Sequence, residues 1–174
     1  MILEAMGIDL NSPDFKETPK RFAKAMMEFR VKDSDEKPNI TTFSTNKIDN
    51  GFVKVTGLEV RSLCGHHLFP FFGNAVVGYI PRDKKAGLSK FQRVLDFVAN
   101  KPQDQEGLTD EYMNLLVEEL DPLMLVVKVV CKHTCMVARG VKCHSSETTT
   151  ISNYVRSSVG EEQKQLFHTY LQNL

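Results

Sequence analysis

The sequence predicts an α+β protein, and the order of its elements is the main reason. Two strand-like runs come first, two amphipathic helical segments follow, and two further strand-like runs close the pattern. The chain has 174 residues, of which 41% are hydrophobic, as in an ordinary globular domain. We therefore expect one domain over residues 1–174, with a helical region and linker over 1–50 and the core over 51–174.

The N-terminal region is predicted to hold one helix. Thr18-Pro19 supplies an N-cap and a first-turn proline, and the apolar residues that follow recur at helical spacing, namely Phe22, Ala23, Met26 and Phe29. The stretch Asp33–Asn50 is rich in Asp, Ser, Thr, Asn and Pro and has no helical period. We expect a linker there, with one short strand.

The first half of the core reads as a strand pair followed by a helix. Alternation predicts strands over Phe52–Leu63 and Phe71–Pro81, joined by a bend over Cys64–Pro70. Ser89 then opens an amphipathic helix, with Gln92 three residues on in a capping-box pattern.

The second half begins with another helix. Thr109 is expected to cap it, and Pro122 stops it. β-Branched and apolar residues predict strands over Leu123–Cys131 and Thr148–Val155. A final helix is expected over Glu161–Leu171.

Charge and composition exclude several functions. The 22 Lys and Arg balance the 22 Asp and Glu, so no overall cationic field favours nucleic acid or an anionic membrane. No segment has the length and apolarity of a membrane span or signal peptide. We expect a cytoplasmic protein whose four cysteines are thiols or metal ligands rather than disulfides.

Two short motifs indicate a metal centre. Cys64-Gly65-His66-His67 places a thiolate and two imidazoles at the end of a predicted strand, and spacing leaves open whether His66 or His67 is the ligand. His133-Thr134-Cys135 would present His133 and Cys135 on one face of an extended strand. A single Cys or His is more often a buried core group, but two such clusters together favour zinc.

The number of ligands points to catalysis. Only three protein ligands are easily assembled from the two motifs, which leaves a position for water, as in catalytic zinc sites. Cys131 ends an apolar strand and is assigned to the core, and neither Cys131 nor Cys143 is expected to be a ligand.

Several polar side chains fit an anionic, purine-containing ligand. Ser89-Lys90 lies at a predicted helix N-terminus, which favours anions, and the cations Arg93, Arg139 and Arg21 could add to it. Each alone is more often a solvated surface charge. Gln105-Glu106 offers a carboxylate able to accept two hydrogen bonds from a guanine edge.

Taken in order, the motifs closely resemble GTP cyclohydrolase I over nearly the whole chain. The matching segments are Glu17–Arg21, Ser62–His67, Gly87–Lys90, Pro102–Thr109 and His133–Val141. The resemblance implies a tunnelling fold: four-stranded antiparallel sheets, each with two helices on one face, joined edge to edge into a barrel. It also implies a homodecamer of two pentamers with active sites between subunits.

The resemblance also implies roles for individual residues. Cys64, His67 and Cys135 look like the zinc ligands, His133 like the donor of a proton to N7 of GTP, and His66 like the acid at the furanose oxygen. Ser89 and Gln105 complete the catalytic set. The residues that resemble the substrate-holding set are Glu106, the guanine anchor, with Lys90, Arg93, Arg139 and Arg21.

The implied activity is zinc-dependent hydrolysis and rearrangement of GTP to 7,8-dihydroneopterin triphosphate with loss of formate, the first step toward tetrahydrofolate, other pterins or 7-deazaguanines. Gly65 and Gly107 depart from the Glu and Arg usual in the family. Two alternatives are a tunnelling-fold paralogue with altered substrate or turnover and a non-catalytic, zinc-stabilised interaction module.

Overall fold

The computed structural model describes residues 2–29, 36–45 and 51–172. Its helices are α1 Ile2–Ala5, α2 Thr18–Glu28, α3 Leu88–Ala99, α4 Gln105–Leu120, α5 Thr134–Val137 and α6 Glu161–Leu171. Its strands are β1 Thr42–Ser44, β2 Val53–Cys64, β3 Pro70–Ile80, β4 Lys84–Ala86, β5 Pro102–Gln103, β6 Met124–His133 and β7 Thr148–Val155. The four long predicted strands and the last helix are confirmed.

The main sheet has the strand order β5-β2-β3-β6-β7. The four long strands pair antiparallel with one another, which confirms an α+β architecture with an antiparallel sheet. The short β5 adds a fifth strand, parallel to the end of β2. A strand of two residues is too short to show an alternation of apolar and polar side chains, so the sequence pattern could not have indicated β5.

Strand register defines two ends of this sheet. Leu63 pairs with Pro70, and Phe71 pairs with His133. We call this the Cys64 end, because β2 finishes there at Cys64. At the opposite end, Ile80 pairs with Met124, and we call it the Ile80 end.

Helices α3 and α4 cover one face of the sheet. Phe91 and Leu95 of α3 and Tyr112 and Leu116 of α4 are buried in one core with alternate residues of β2, β3 and β6. The buried Tyr112 hydroxyl donates a hydrogen bond of 2.9 Å to the carbonyl of Phe91, which ties the two helices together. The predicted pair of helices on one face is therefore present.

The last helix, α6, packs on the opposite face at the Ile80 end. Its Phe167 is buried with Ile80, Met124 and Val126. Val126 alternates with Leu125 and Val127, which belong to the first core, so the two clusters lie on opposite faces of β6. Apolar burial on both sides explains the almost continuous hydrophobic run of this strand.

Two predicted helix starts were wrong. Helix α3 begins at Leu88 with Gly87 as N-cap and no side-chain cap. Gln92 does not complete a capping box, because its amide bonds the backbone N and O of Glu59, each at 2.9 Å, and so fixes α3 to β2.

Helix α4 begins four residues before the predicted Thr109, since Asp104 already accepts a hydrogen bond of 2.6 Å from the Gly107 N–H.

The N-terminal region contributes little to the core. Helix α2 starts at Thr18, with Glu17 rather than Thr18 as N-cap, and none of its residues is buried. Strand β1 pairs with β4 and confirms a short strand within the expected linker, although residues 33–35 and 46–50 of that linker lie outside the described part of the chain. Over the described ranges, no helix has the length and apolar character needed to cross a membrane.

Candidate active site and metal centre

The first half of the site is the tight turn that follows β2. The Cys64 N–H donates to the carbonyl of Phe69, and the Leu68 N–H donates to the carbonyl of Cys64, both at 2.8 Å. Leu68 adopts φ 54°, a left-handed conformation that is unfavourable for a leucine. This closed turn brings His67 Nδ1 to 3.7 Å from Cys64 Sγ.

The second half follows β6. The strand ends at His133, and Thr134–Val137 form a single helical turn, so the expected extended His133-Thr134-Cys135 segment was wrong. The Thr134 hydroxyl donates a hydrogen bond of 2.6 Å to the carbonyl of Pro70 and holds this turn against β3. Cys135 reaches Cys64 because the chain turns, not because it continues as a strand.

The two halves meet as a group of three potential ligands. In the described part of the chain, the group of donors that could hold a metal consists of Cys64, His67 and Cys135, whose ligand atoms all lie within 4.8 Å of one another. At ordinary zinc bond lengths and a tetrahedral angle, sulfur and nitrogen ligands lie about 3.6 Å apart. The 3.7 Å between Cys64 Sγ and His67 Nδ1 fits that geometry.

His66 lies beside this group without belonging to it. Its Nδ1 is 3.8 Å from Cys64 Sγ, yet the three-ligand group includes His67 instead. The structure therefore groups His67, rather than His66, with the two cysteines as donors that could hold a metal. His66 stays exposed next to the centre.

The Cys135 thiol lies beside a second thiol, that of Cys64. Burial raises the pKa of its thiol, and the neighbouring charge of Cys64 raises it further, whereas Arg139 lowers it. Two thiolates so close together repel each other, and the positive charge of a bound divalent metal offsets that repulsion. The donor set and its spacing thus fit a zinc ion.

His133 lies at the Cys64 end, beside the metal group. Its ring stacks on the fully buried Phe71, with centroids 4.7 Å apart and an interplanar angle of 11°. Burial lowers the pKa of His133, and the negative charge of the exposed Glu106 opposes that shift. Imidazole is a common proton donor and acceptor in enzymes, which makes His133 a candidate acid–base group.

Gln105 contacts His133 from the start of α4. Its side chain is 1% exposed, and its Oε1 lies 2.9 Å from His133 Nε2. Its Nε2 donates toward Thr150 Oγ1 on β7 at 3.0 Å. The sequence analysis missed Phe71 and Thr150, since nothing local to either residue marks them as neighbours of a distant histidine.

The predicted anion-binding residues, apart from Arg139, lie on helices away from the metal group. Ser89 and Lys90 occupy the first turn of α3, with the exposed Arg93 one turn later. Lys90 Nζ donates a hydrogen bond of 2.8 Å to the carbonyl of Asn39. The exposed Arg139 follows α5 near Cys135.

Arg21 lies on α2, also exposed. No described hydrogen bond or ion pair joins its side chain to the other candidates.

The two glycines that depart from the family pattern have different surroundings. A Cβ on Gly65 would meet the backbone of Gln103 at 3.5 Å, an ordinary contact. A Cβ on Gly107 would lie 2.8 Å from Asp104 Oδ1, the oxygen that caps α4. Gly65 therefore has room for a side chain, whereas a side chain at Gly107 requires the cap to shift.

The other two cysteines lie where the sequence predicted, outside the metal group. Cys131 is buried in the core, and Cys143 is exposed in the loop after α5. Neither belongs to the metal-binding group.

Comparison with known proteins gives one consistent family. A family model described as GTP cyclohydrolase I matches residues 1–172. The chain is 40% identical over 152 residues to the GTP cyclohydrolase 1 of Carboxydothermus hydrogenoformans, covering 86% of this chain and 79% of that protein. For Geobacillus kaustophilus GTP cyclohydrolase 1 the identity is 42% over 152 residues, covering 86% and 80%.

A third relative aligns over more of the chain. The GTP cyclohydrolase 1 of Streptococcus thermophilus is 38% identical over 168 residues, covering 95% of this chain and 89% of that protein. The solved apo structure of the archaeosine synthase QueF-Like covers 59% of this chain at 15% identity with a TM-score of 0.44, too weak a likeness to bear on the fold. The sequence matches decide the assignment: the chain belongs to the GTP cyclohydrolase I family.

Proposed function

We propose that this chain converts GTP to 7,8-dihydroneopterin triphosphate with release of formate, using zinc held by Cys64, His67 and Cys135. The family membership supports the reaction. The observation that carries the proposal is the convergence of the three ligand atoms within 4.8 Å at the end of the sheet where His133 also lies. A purely structural role for the metal would give no reason for His133 and Gln105 to be there.

Zinc bound there would supply a Lewis acid that lowers the pKa of water, and three protein ligands leave it an open position. The chain's own residues do the rest. His133, as imidazolium, donates a proton to N7 of the guanine while C8 is attacked by water. His66, exposed beside the centre, serves as the acid at the furanose oxygen when the ribose opens.

Glu106 is proposed to anchor the guanine. Its carboxylate is exposed and close enough to His133 for its charge to oppose the lowering of that pKa. A carboxylate accepts two hydrogen bonds, which matches the N–H donors along the guanine edge. Glu106 would thus hold the base with its imidazole ring toward His133.

The triphosphate is assigned to the cations Lys90, Arg93, Arg139 and Arg21, with Ser89 at the helix N-terminus. Binding energy from the phosphates positions the base without contact with the reacting bonds. Ser89 and Lys90 lie at the far end of α3 from Cys64 in one chain. This separation supports an active site that draws on two subunits.

We infer the corresponding assembly from the family. A tunnelling-fold barrel of sheets joined at their edges, in a homodecamer of two pentamers, would bring one subunit's Ser89 and Lys90 toward another's His133. The open edge of β7 in the sheet order is compatible with such joining. The single-domain division at residue 50 and the cytoplasmic location stay predictions of the sequence.

The two alternatives are less favoured. A paralogue with altered turnover would show zinc binding but incomplete products, and a zinc-stabilised module would show zinc binding without formate. The pathway served, toward folate, other pterins or 7-deazaguanine, is not distinguished by this first step.

The test is incubation of purified, zinc-loaded protein with GTP, following formate and the fluorescent neopterin obtained after oxidation and dephosphorylation. We expect both products from the wild type and neither from His133→Ala. Absence of formate from a metal-loaded, folded wild type would refute the proposed reaction.

A further inference from the structure

The side chain of Gln105 is held in one orientation by its surroundings. Its Nε2 lies 3.2 Å from the carbonyl oxygen of Val129 and 3.0 Å from that of Thr148. Carbonyl oxygens only accept hydrogen bonds, so the NH₂ end of the amide must face them. Reversing the amide would set its oxygen against two carbonyl oxygens in a site that is 1% exposed.

Two threonines complete this arrangement. The Thr109 hydroxyl donates to the carbonyl of Gln105 at 2.7 Å, which uses its only proton. The 2.6 Å contact between the Thr109 and Thr150 hydroxyls must then be donated by Thr150. Thr150 Oγ1 is left to accept from Gln105 Nε2, at 3.0 Å, so the two N–H bonds of this nitrogen are shared among three acceptors. The donors and acceptors of this buried network therefore have one consistent assignment.

This assignment determines where His133 carries its proton. The Oε1 of Gln105 lies 2.9 Å from His133 Nε2 and can only accept a hydrogen bond. Nε2 must therefore be the N–H donor, and Nδ1 of the neutral ring is the acceptor nitrogen. Stacking on Phe71 holds the ring plane. No described residue forms a hydrogen bond with Nδ1.

We propose that Gln105, oriented by Thr150 and two backbone carbonyls, is a positioning residue that fixes His133 as the Nε2–H tautomer and leaves Nδ1 to exchange the proton with the substrate. The catalytic part of this inference rests on the proposed function. In that reaction the imidazolium gives its Nδ1 proton to N7 and is left as the neutral Nε2–H tautomer. Solvent then returns a proton to Nδ1.

The same geometry separates two roles for Gln105. A glutamine that donates to guanine needs a free N–H, whereas the N–H bonds of this amide point to acceptors within the chain and its oxygen already accepts from His133. Loss of a positioning residue lowers kcat, and loss of a ground-state contact raises KM. Gln105 is therefore expected to affect kcat.

The direct test is solid-state ¹⁵N NMR of the zinc-loaded, histidine-labelled protein without GTP, at mildly alkaline pH where the His133 ring is neutral. The His133→Ala spectrum assigns the resonances. We expect a protonated Nε2 and an unprotonated Nδ1. A protonated Nδ1, or a mixture of tautomers in the wild type, would overturn the inference. Because this readout needs no turnover, it stands apart from a failure of the GTP reaction.

Variants extend the test to catalysis. Gln105→Met keeps the length of the side chain and removes both hydrogen-bonding ends, so we expect mixed tautomers, a kcat about 10- to 100-fold lower and a KM within about 3-fold of wild type. Gln103→Met is the matched control. Gln103 also donates from a partly buried amide to a backbone carbonyl, that of Val98 at 2.7 Å, without contacting His133.

The control should keep the wild-type tautomer and kcat. Unchanged kcat in Gln105→Met, or a loss expressed mainly in KM, would contradict the proposal. Thr150→Val serves if Gln105→Met does not fold, because it leaves the two carbonyl acceptors in place. We expect it to keep the Nε2–H tautomer with a smaller fall in kcat than Gln105→Met, and loss of that tautomer would contradict the assignment to the carbonyls.

Discussion

Lys90 lies at the start of α3, beside the middle of β2, whereas His133 lies at the Cys64 end of the sheet. His133 pairs with Phe71 at the Cys64 end, while Lys90 is in the first turn of α3, which follows β4. One turn into α3, Gln92 bonds the backbone of Glu59, five residues before Cys64 and so about 17 Å along the strand. We therefore expect Lys90 and His133 of one chain to contact different GTP molecules, as the proposed two-subunit site requires.

A mixed-subunit experiment tests this separation. We expect Lys90→Glu and His133→Ala each to be nearly inactive alone, and their co-expression to restore activity at about a quarter of the sites in a randomly mixed assembly. The measurement is formate release per subunit at low GTP concentration.

The matched control uses two residues of one half of the site. Cys135→Ser and His133→Ala lie two positions apart on the same chain, so their co-expression should restore nothing. If neither co-expressed pair of variants released formate although the proteins were folded and assembled, the whole site would lie within one subunit.

The adjacent histidines are expected to separate metal binding from turnover. His67→Asn removes a member of the three-ligand group and should lower bound zinc at least about 10-fold, whereas His66→Asn should retain zinc and lose most turnover. Elemental analysis after gel filtration, beside the formate assay, gives both quantities. Zinc retained in His67→Asn but lost in His66→Asn would reverse the ligand assignment.

Thiol reactivity should distinguish the two cysteines outside the metal centre. Burial raises the pKa of Cys131 to about 12, so at pH 8 roughly one molecule in ten thousand carries its thiolate. Raising the pH toward 12 increases that fraction, so the reactivity of Cys131 should rise with pH. Exposed Cys143 should react at pH 8 in the zinc-loaded protein.

A disulfide reagent provides the measurement. Cys143→Ser should abolish the fast phase, and Cys131 should react at pH 8 only after unfolding. A fast phase that persists in Cys143→Ser would contradict this.

Gly73 is expected to be indispensable for pairing β3 with β6. A Cβ there would lie 2.7 Å from Cys131 Cα and closer still to the carbonyl oxygen of Val130. Backbone cannot yield as a side chain does, so Gly73→Ala should lower the free energy of unfolding by at least about 2 kcal/mol.

Urea denaturation of Gly73→Ala is compared with that of Gly160→Ala, where a Cβ has nothing within 4 Å. Equal urea midpoints for the two variants would show that β3 and β6 can move apart at residue 73 without a loss in the free energy of unfolding.

Local patterns were sufficient for the regular elements of the core. Alternation predicted β2 and β3, and β7 and α6 were predicted with the residue bounds that the structure has. The helix starts were less well predicted, because capping signals compete. Asp104 begins α4 before Thr109 can, and Gln92 bonds β2 instead of its own helix.

The sequence predicted which residue types form the metal group, but not the backbone turns that bring them together. The motifs identified Cys64 and Cys135 as candidate ligands, but their spacing did not distinguish His66 from His67 as the third. The turn closed by the Leu68 N–H places His67 in the group, and a helical turn, which the alternating pattern could not indicate, brings in Cys135.

By itself, the sequence determined the fold class, the family and the chemical types at the site, because hydrophobic periodicity and short motifs are local properties. Only the tertiary structure joined Gln105 and Thr150 to His133, and separated Lys90 from it. These relationships depend on strand register and on helices packed across a sheet, which connect residues 28 and 45 positions from Gln105. Sequence patterns do not indicate such contacts, because the contacts form only when distant segments pack together in the fold.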